Sequence, residues 1–307
     1  MSLYTVRKGA GEPLVLIHGI GHHWRAWEPV IDLLAEHHDV IAVDLPGFGR
    51  SPAPAENRGM PSAVEALAGF FAEAGLDRPH VAGNSLGGAI ALELAAAGQA
   101  RSVTALSPAG FCTPAQVRRA LGILRGHRAG AFTPAPLLKV FYRTGFGRAF
   151  SFGWLVRDPG VLTAERALAD TLALRGGKGF AAVARHGRDY AYTSRPGVPV
   201  TIAWGSRDRI FLPVQAGVAR DRLPDARHVT LDGCGHVPMS DDPALVAAVI
   251  LRTTTTTAAA AAAVAVGGRS EVDEGAGADA VAHAGEGVAH LGQGDVVGDE
   301  GGQVQRA

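Results

Sequence analysis

The sequence predicts an α/β protein: a mostly parallel central sheet flanked by helices, with a helical insertion. Three observations predict it. Short apolar runs without polar alternation recur along the chain, as strands buried on both faces require. Helix-length segments with an apolar stripe separate them. Between residues 111 and 196 this alternation stops while helical periodicity continues, and eleven of the chain's 19 Phe, Trp and Tyr residues fall in that stretch.

Taken in order, 14–18 (Leu-Val-Leu-Ile-His) reads as a buried strand, and 24–37 as a helix with Trp27, Val30, Ile31 and Leu34 on one stripe. A strand over 40–44, a helix over 61–75, a strand over 79–83, a helix over 86–98 and a strand over 102–106 follow. After the insertion come a strand over 198–204 and helices over 213–222 and 242–251. The expected organisation is a core of 1–110 and 197–252, a helical cap of 111–196, and a low-complexity tail of 253–307 that is expected to be disordered. The tail contains no Phe, Trp, Tyr, Ile or Met and too little large apolar surface to offset the entropy of ordering.

The formal net charge of zero conceals an uneven distribution. The tail has two basic residues against eight acidic ones, whereas 111–196 has fourteen against four. No nucleic-acid-binding motif accompanies the basic stretch, so nucleic acid is not an expected partner. Its arginines either form a solvated face or send one or two side chains into the pocket to hold an anionic group of a small-molecule substrate. The two cysteines, Cys112 and Cys234, lie far apart, and the chain shows no zinc-site spacing. His18, His22 and His23 likewise match no metal motif, so no metal or cofactor is expected. With no basic-then-apolar leader and no apolar run of about 18 to 20 residues, the expectation is a cytoplasmic protein without a membrane partner.

The candidate chemistry centres on Gly83-Asn84-Ser85-Leu86-Gly87. A G-x-S-x-G alone is a weak signal; here it joins an apolar strand to a segment whose Leu86, Ile90 and Leu94 have helical spacing. Ser85 would then occupy a tight strand-to-helix turn, with the Leu86 N–H at a helix N-terminus where an oxyanion can be stabilised. A serine hydroxyl needs a base and an orienting acid. Asp208, in "GSRDRIFLP" after the strand ending at Trp204, and His236, in "GCGHVPMSDDP", supply both in the order Ser, Asp, His. Cys234 lacks such a turn and reads as a packing residue.

At these motifs, together with "LVLIHGIGHHWRAWEPV" and "DLPGFGRSPAP", residues 2 to about 251 resemble the α/β-hydrolase family, specifically its capped members with a serine nucleophile. The resemblance implies the α/β-hydrolase fold, Ser85 as nucleophile, His236 as general base and then acid, and Asp208 as the group that fixes the imidazole tautomer. It also implies that the Ile20 N–H joins that of Leu86 in the oxyanion hole, with Gly21 as the fallback. The activity implied is a cofactor-independent serine hydrolase acting on a carboxylic ester or related acyl compound. Three other activities remain open: a C–C bond hydrolase acting on dienoate ring-cleavage products, a cofactor-free haloperoxidase or perhydrolase, and a ligand-binding protein with negligible turnover. Val237 follows the histidine where the C–C group usually has Trp. Dehalogenase and epoxide hydrolase chemistry is disfavoured because Ser85 stands where those relatives carry Asp.

Overall fold

The computed structural model describes residues 2–255. Seven strands form one sheet: β1 (Thr5–Lys8), β2 (Pro13–Ile17), β3 (Asp39–Val43), β4 (His80–Asn84), β5 (Ser102–Leu106), β6 (Val200–Gly205) and β7 (Arg227–Leu231). Their order is β1-β3-β2-β4-β5-β6-β7, with β1 antiparallel to β3 and every other pair parallel. The five inner strands are the five apolar runs of the sequence. The edge strands β1 and β7 carry no such run because each leaves part of its length in water, and both interrupt their apolar residues with charged or polar ones.

The two-residue period of a strand divides the apolar side chains between two cores. Val15, Ile17, Ile41, Val43, Val81, Val103 and Ile202 face one side, where α2 (Met60–Glu73) and α3 (Leu86–Ala96) add Leu67, Phe71, Ile90 and Leu94. Leu14, Leu16, Val40, Ala42, Ala82, Leu106 and Ala203 face the other. There α1 (Glu28–Ala35) contributes the expected stripe of Val30, Ile31 and Leu34, and the helix over 243–255 adds Val246, Val249 and Ile250. Burying each Val, Leu, Ile or Phe among them contributes about 1.5–3 kcal/mol, which fixes the strand register, since a one-residue slip would send every one to the wrong side.

Between β5 and β6 the chain forms α4 (Pro114–Gly130), α5 (Ala135–Tyr142), α6 (Gly145–Phe152), α7 (Ala164–Gly176) and α8 (Phe180–His186), with no strand. The start of α4 is set by a capping box: Thr113 accepts from the Gln116 N–H while the Gln116 side chain accepts from the Thr113 N–H. After β6, α9 (Val214–Arg222) leads to β7, and the short α10 (Pro238–Asp241) precedes the helix over 243–255.

The expected tail boundary at 253 is corrected. Thr253 and Thr254 are helical and buried; the Thr253 hydroxyl donates to the Thr201 hydroxyl at 2.8 Å, and Thr254 Oγ1 lies 2.9 Å from His38 Nε2. The threonine run hid these partners because composition carries no information about which hydroxyls are paired. The rest of the tail expectation, 256–307, lies outside the described residues. Among the described residues, no helix is long and apolar enough to cross a membrane.

Candidate active site

Strand order changes direction between β2 and β4, the place in an open α/β sheet where loops diverge and leave a crevice at the carboxyl ends of the strands. Ile17 pairs with Gly83 across this junction, so His18-Gly19-Ile20 and Asn84-Ser85-Leu86 leave the sheet side by side. A Cβ on Gly19 would lie 3.2 Å from the Ser85 Cβ.

Ser85 caps α3 with φ 58° and ψ −114°, a left-handed conformation that side-chain-bearing residues rarely adopt. Three hydrogen bonds hold it there: its N–H donates to the Leu106 carbonyl at 2.9 Å, and its carbonyl accepts from Ala89 and Ala109, both at 3.1 Å. The flanking glycines have a steric cause. A Cβ on Gly83 would stand 2.1 Å from the Gly87 carbonyl oxygen, and one on Gly87 would stand 2.1 Å from the Ile17 carbonyl oxygen. The turn therefore closes only without side chains at both positions. The Leu86 and Ile20 amides have no acceptor among the described residues, and both residues line the same cavity as Ser85.

Asp208 and His236 come together from the loops after β6 and β7. His236 Nδ1 lies 2.8 Å from Asp208 Oδ2, with both side chains buried. Asp208 Oδ1 accepts from the Ile210 and Phe211 amides at 2.8 and 2.9 Å, so each carboxylate oxygen is engaged and the carboxylate plane is fixed. The Phe211 ring meets the imidazole edge-on at 5.1 Å. Asn84, immediately before Ser85, donates its amide to the His236 carbonyl at 2.9 Å and to the Leu106 carbonyl at 3.2 Å, joining the serine turn to the histidine loop.

The loop carrying Ile20 is pinned from two sides. His18 Nε2 accepts from the Leu45 N–H at 2.9 Å, which obliges its proton to sit on Nδ1, facing the Gly19 carbonyl at 2.7 Å. Burial pushes this histidine down to about 3, so it is neutral. Asp44 accepts from the Trp24 amide at 2.7 Å and the Arg50 amide at 2.8 Å. From the insertion, Asp170 on α7 lies 3.2 Å from His23 Nε2 and 3.8 Å from His22 Nε2. Burial alone would raise the Asp170 carboxyl, but its electrostatic interaction with His22, the His23 hydrogen bond and the Arg166 charge outweigh it and hold it at about 2. Sequence spacing gave no sign of Asp170, which is remote in the chain from His22 and His23. The three groups lie within 4.8 Å of one another, a metal-like cluster, yet the Arg166 guanidinium Nε sits 2.9 Å from both Asp170 oxygens. A cation there would compete with a charge already in place.

The insertion also holds the other two loops. Arg119 on α4 donates to the Arg209 carbonyl at 2.9 Å beside Asp208, and the Leu155 carbonyl accepts from the Val237 amide at 2.9 Å beside His236.

Ser85 opens into a cavity of about 300 Å³ lined mainly by apolar groups, among them Ile20, Phe48, Met60, Leu121, Leu124 and Phe211. Its only Arg or Lys is Arg58, which pairs with Glu65 at 2.6 Å. The expectation that arginines of the insertion could reach the substrate is therefore corrected. Arg128 serves the Leu174, Arg175 and Gly177 carbonyls and stacks on Phe180, while Arg148 serves the Tyr142 carbonyl and Arg166 holds Asp170. Burial pushes the thiols of Cys112 and Cys234 up to about 12, so neither supplies a thiolate near neutral pH.

The sequence model of the alpha/beta hydrolase family matches residues 14–249. The chain is an alpha/beta hydrolase. Among relatives of this hydrolase, an uncharacterized protein of Mycobacterium tuberculosis is 30% identical over 258 residues, covering 77% of this chain and 73% of that protein. The 2-hydroxy-6-oxo-2,4-heptadienoate hydrolase of Pseudomonas putida is 43% identical over 91 residues, 28% of this chain and 33% of that enzyme. The structure of a thermophilic esterase from Thermogutta terrifontis superposes with a TM-score of 0.67 at 21% identity, covering 83% of this hydrolase and 93% of the esterase, which shows the shared fold.

Proposed function

We propose that this hydrolase cleaves a carboxylic ester of moderate size with apolar substituents, through an acyl-enzyme on Ser85. The observation that carries the reading is the buried His236–Asp208 pair, with the aspartate locked by two amides, tied through Asn84 to a strained serine that faces an apolar cavity.

In this reading the Ser85 hydroxyl adds to the substrate carbonyl as His236 takes its proton, and Asp208 keeps the imidazole proton on Nδ1. The Leu86 and Ile20 amides hold the oxyanion, each contributing about 3–4 kcal/mol to the transition state. His236 protonates the departing alcohol, then draws a proton from water as that water attacks the acyl-enzyme, and returns the proton to Ser85 Oγ as the acid departs. The cavity corresponds to about ten water volumes at roughly 30 Å³ each, which suits a short-to-medium acyl or alkyl group. A dienoate substrate would bring a carboxylate to a cavity whose single cation is already paired with Glu65, and this favours the ester over C–C cleavage.

Intact-mass detection of fluorophosphonate labelling on wild type and on Ser85→Ala tests the reading. Labelling of the wild type alone is expected. A folded wild type that does not label would overturn the nucleophile assignment and leave a ligand-binding protein as the better account.

A further inference from the structure

The positive charge that the cavity does not use lies beside apolar side chains that the core does not use. Helical spacing places Leu137, Val140 and Phe141 on one face of α5, and Phe146 and Phe150 on one face of α6. Leu137 is 61% exposed, Val140 65%, Phe146 73% and Phe150 70%. The patch is continuous: the Phe146 and Phe150 rings stack at 6.1 Å, and both meet Phe141 edge-on at 6.2 and 6.3 Å. Leu137, Phe150 and Trp154 also line a groove of about 1050 Å³.

From residue 111 to 157 the chain contains eight Arg and Lys residues and no Asp or Glu. Arg125, Lys139 and Arg143 are exposed and make no ion pair among the described residues. A contiguous exposed apolar patch rimmed by polar residues marks an interaction surface, and here the rim carries one sign of charge.

We propose that the α5–α6 ridge docks on an anionic lipid bilayer, with Phe146, Phe150, Val140 and Leu137 entering the headgroup–acyl boundary and the basic residues facing lipid phosphates. This is the combination that interfacial helices use: an apolar face, aromatic groups, and Lys or Arg at the polar edge. A second copy of the chain is a poorer occupant. A two-fold contact on this face would set its basic residues against their own copies, with no acidic side chain in the segment to offset them. Four protruding side chains would also leave voids against a flat protein surface, whereas fluid acyl chains fill in around them.

The test is co-sedimentation of the full-length protein with phosphatidylcholine vesicles and with vesicles in which phosphatidylglycerol replaces about a third of the lipid. Binding to the anionic vesicles is expected, weakening as salt is added. Phe146→Ser combined with Phe150→Ser should lower the partition coefficient at least about tenfold. Lys139→Gln combined with Arg143→Gln should lower it about fivefold per charge removed at low salt. The positions are exposed, so thermal melting should match wild type; if the phenylalanine pair unfolded the protein, the charge pair would decide. Wild type remaining in the supernatant with anionic vesicles overturns the proposal, as does binding that neither pair reduces. A concentration-dependent dimer that the phenylalanine pair dissolves would overturn it in favour of a second copy.

Discussion

Asparagine at position 208 separates what the carboxylate does for the fold from what it does for chemistry. Asp208 Oδ1 accepts from the Ile210 amide, which is buried, and from the Phe211 amide, which is partly so, and Oδ2 faces His236 Nδ1 at 2.8 Å. In Asp208→Asn the amide oxygen replaces Oδ1, because the opposite orientation would aim an NH2 group at the Ile210 and Phe211 N–H groups. Leaving those two donors unpartnered costs about 1–3 kcal/mol each, so the orientation is set by roughly 2–6 kcal/mol. The asparagine NH2 then points at His236 Nδ1 and forces it to accept, which moves the imidazole proton to Nε2. An Nε2–H cannot take the serine proton, and the expected loss of Ser85 reactivity is about ten-thousand-fold. Stability should fall by only about 1 kcal/mol, the difference between a charge-assisted and a neutral hydrogen bond. Asp208→Ala should be equally inert but about 2–6 kcal/mol less stable, because both amides lose their acceptor. Fluorophosphonate labelling rates and urea unfolding measure the two effects separately. Asp208→Asn labelling within about tenfold of wild type would refute the tautomer argument, and an alanine variant as stable as the asparagine one would refute the role given to Oδ1.

Three further outcomes follow from the geometry. Gly87→Ala must move a backbone carbonyl that would otherwise sit 2.1 Å from the new Cβ, so thermal or urea unfolding should show a loss of about 3 kcal/mol or more; a near-wild-type midpoint would mean the turn is not closed as described. Asp170→Ala leaves Arg166 with Glu28 as its remaining carboxylate partner and frees the His22-His23 segment. It should cost about 1.5–3 kcal/mol, the range for hydrogen bonds to a charged group, and slow Ser85 labelling, whereas unchanged labelling would confine Asp170 to a structural role. His18 and His127, lowered by burial from 6.5 to about 3 and about 4, are neutral in the fold and take up a proton near pH 6.5 once unfolded. The unfolded state thus binds more protons below pH 6.5, and stability declines on acidification by roughly 1.4 kcal/mol per pH unit for each histidine until its folded value is reached. Unfolding midpoints that stay flat from pH 7 to about pH 4.5 would contradict this.

The sequence conveyed whatever depends on local pattern. Unbroken apolar runs marked the five inner strands, and a stripe at Trp27, Val30, Ile31 and Leu34 marked the first helix, because burial selects those residues directly. Ser85, Asp208 and His236 could be singled out as candidates because each follows a strand, and chain order is visible without coordinates; of the three, the structure brings Asp208 and His236 into contact at 2.8 Å. Partnerships between distant residues were not legible. Asp170 holding the His22-His23 segment and Arg128 serving three carbonyls depend on how α4 and α7 pack, which periodicity does not specify. The arginines of the insertion could be counted from sequence, but only packing reveals that several are consumed by carbonyl groups.

The loops that bear Ile20, Asp208 and His236 are each bonded to the stretch between β5 and β6, through Asp170 to His23, Arg119 to the Arg209 carbonyl, and the Leu155 carbonyl to the Val237 amide. A chimera designed by exchanging 111–196 for a relative's segment would have to remake all three seams at once, even with its ends well matched. Recombination within this scaffold therefore has to keep Asp170 with His23, a side-chain donor in the place of Arg119 for the carbonyl of residue 209, and a main-chain carbonyl opposite the amide of residue 237. By the same logic, substitutions far from any substrate can retune the reaction through those seams.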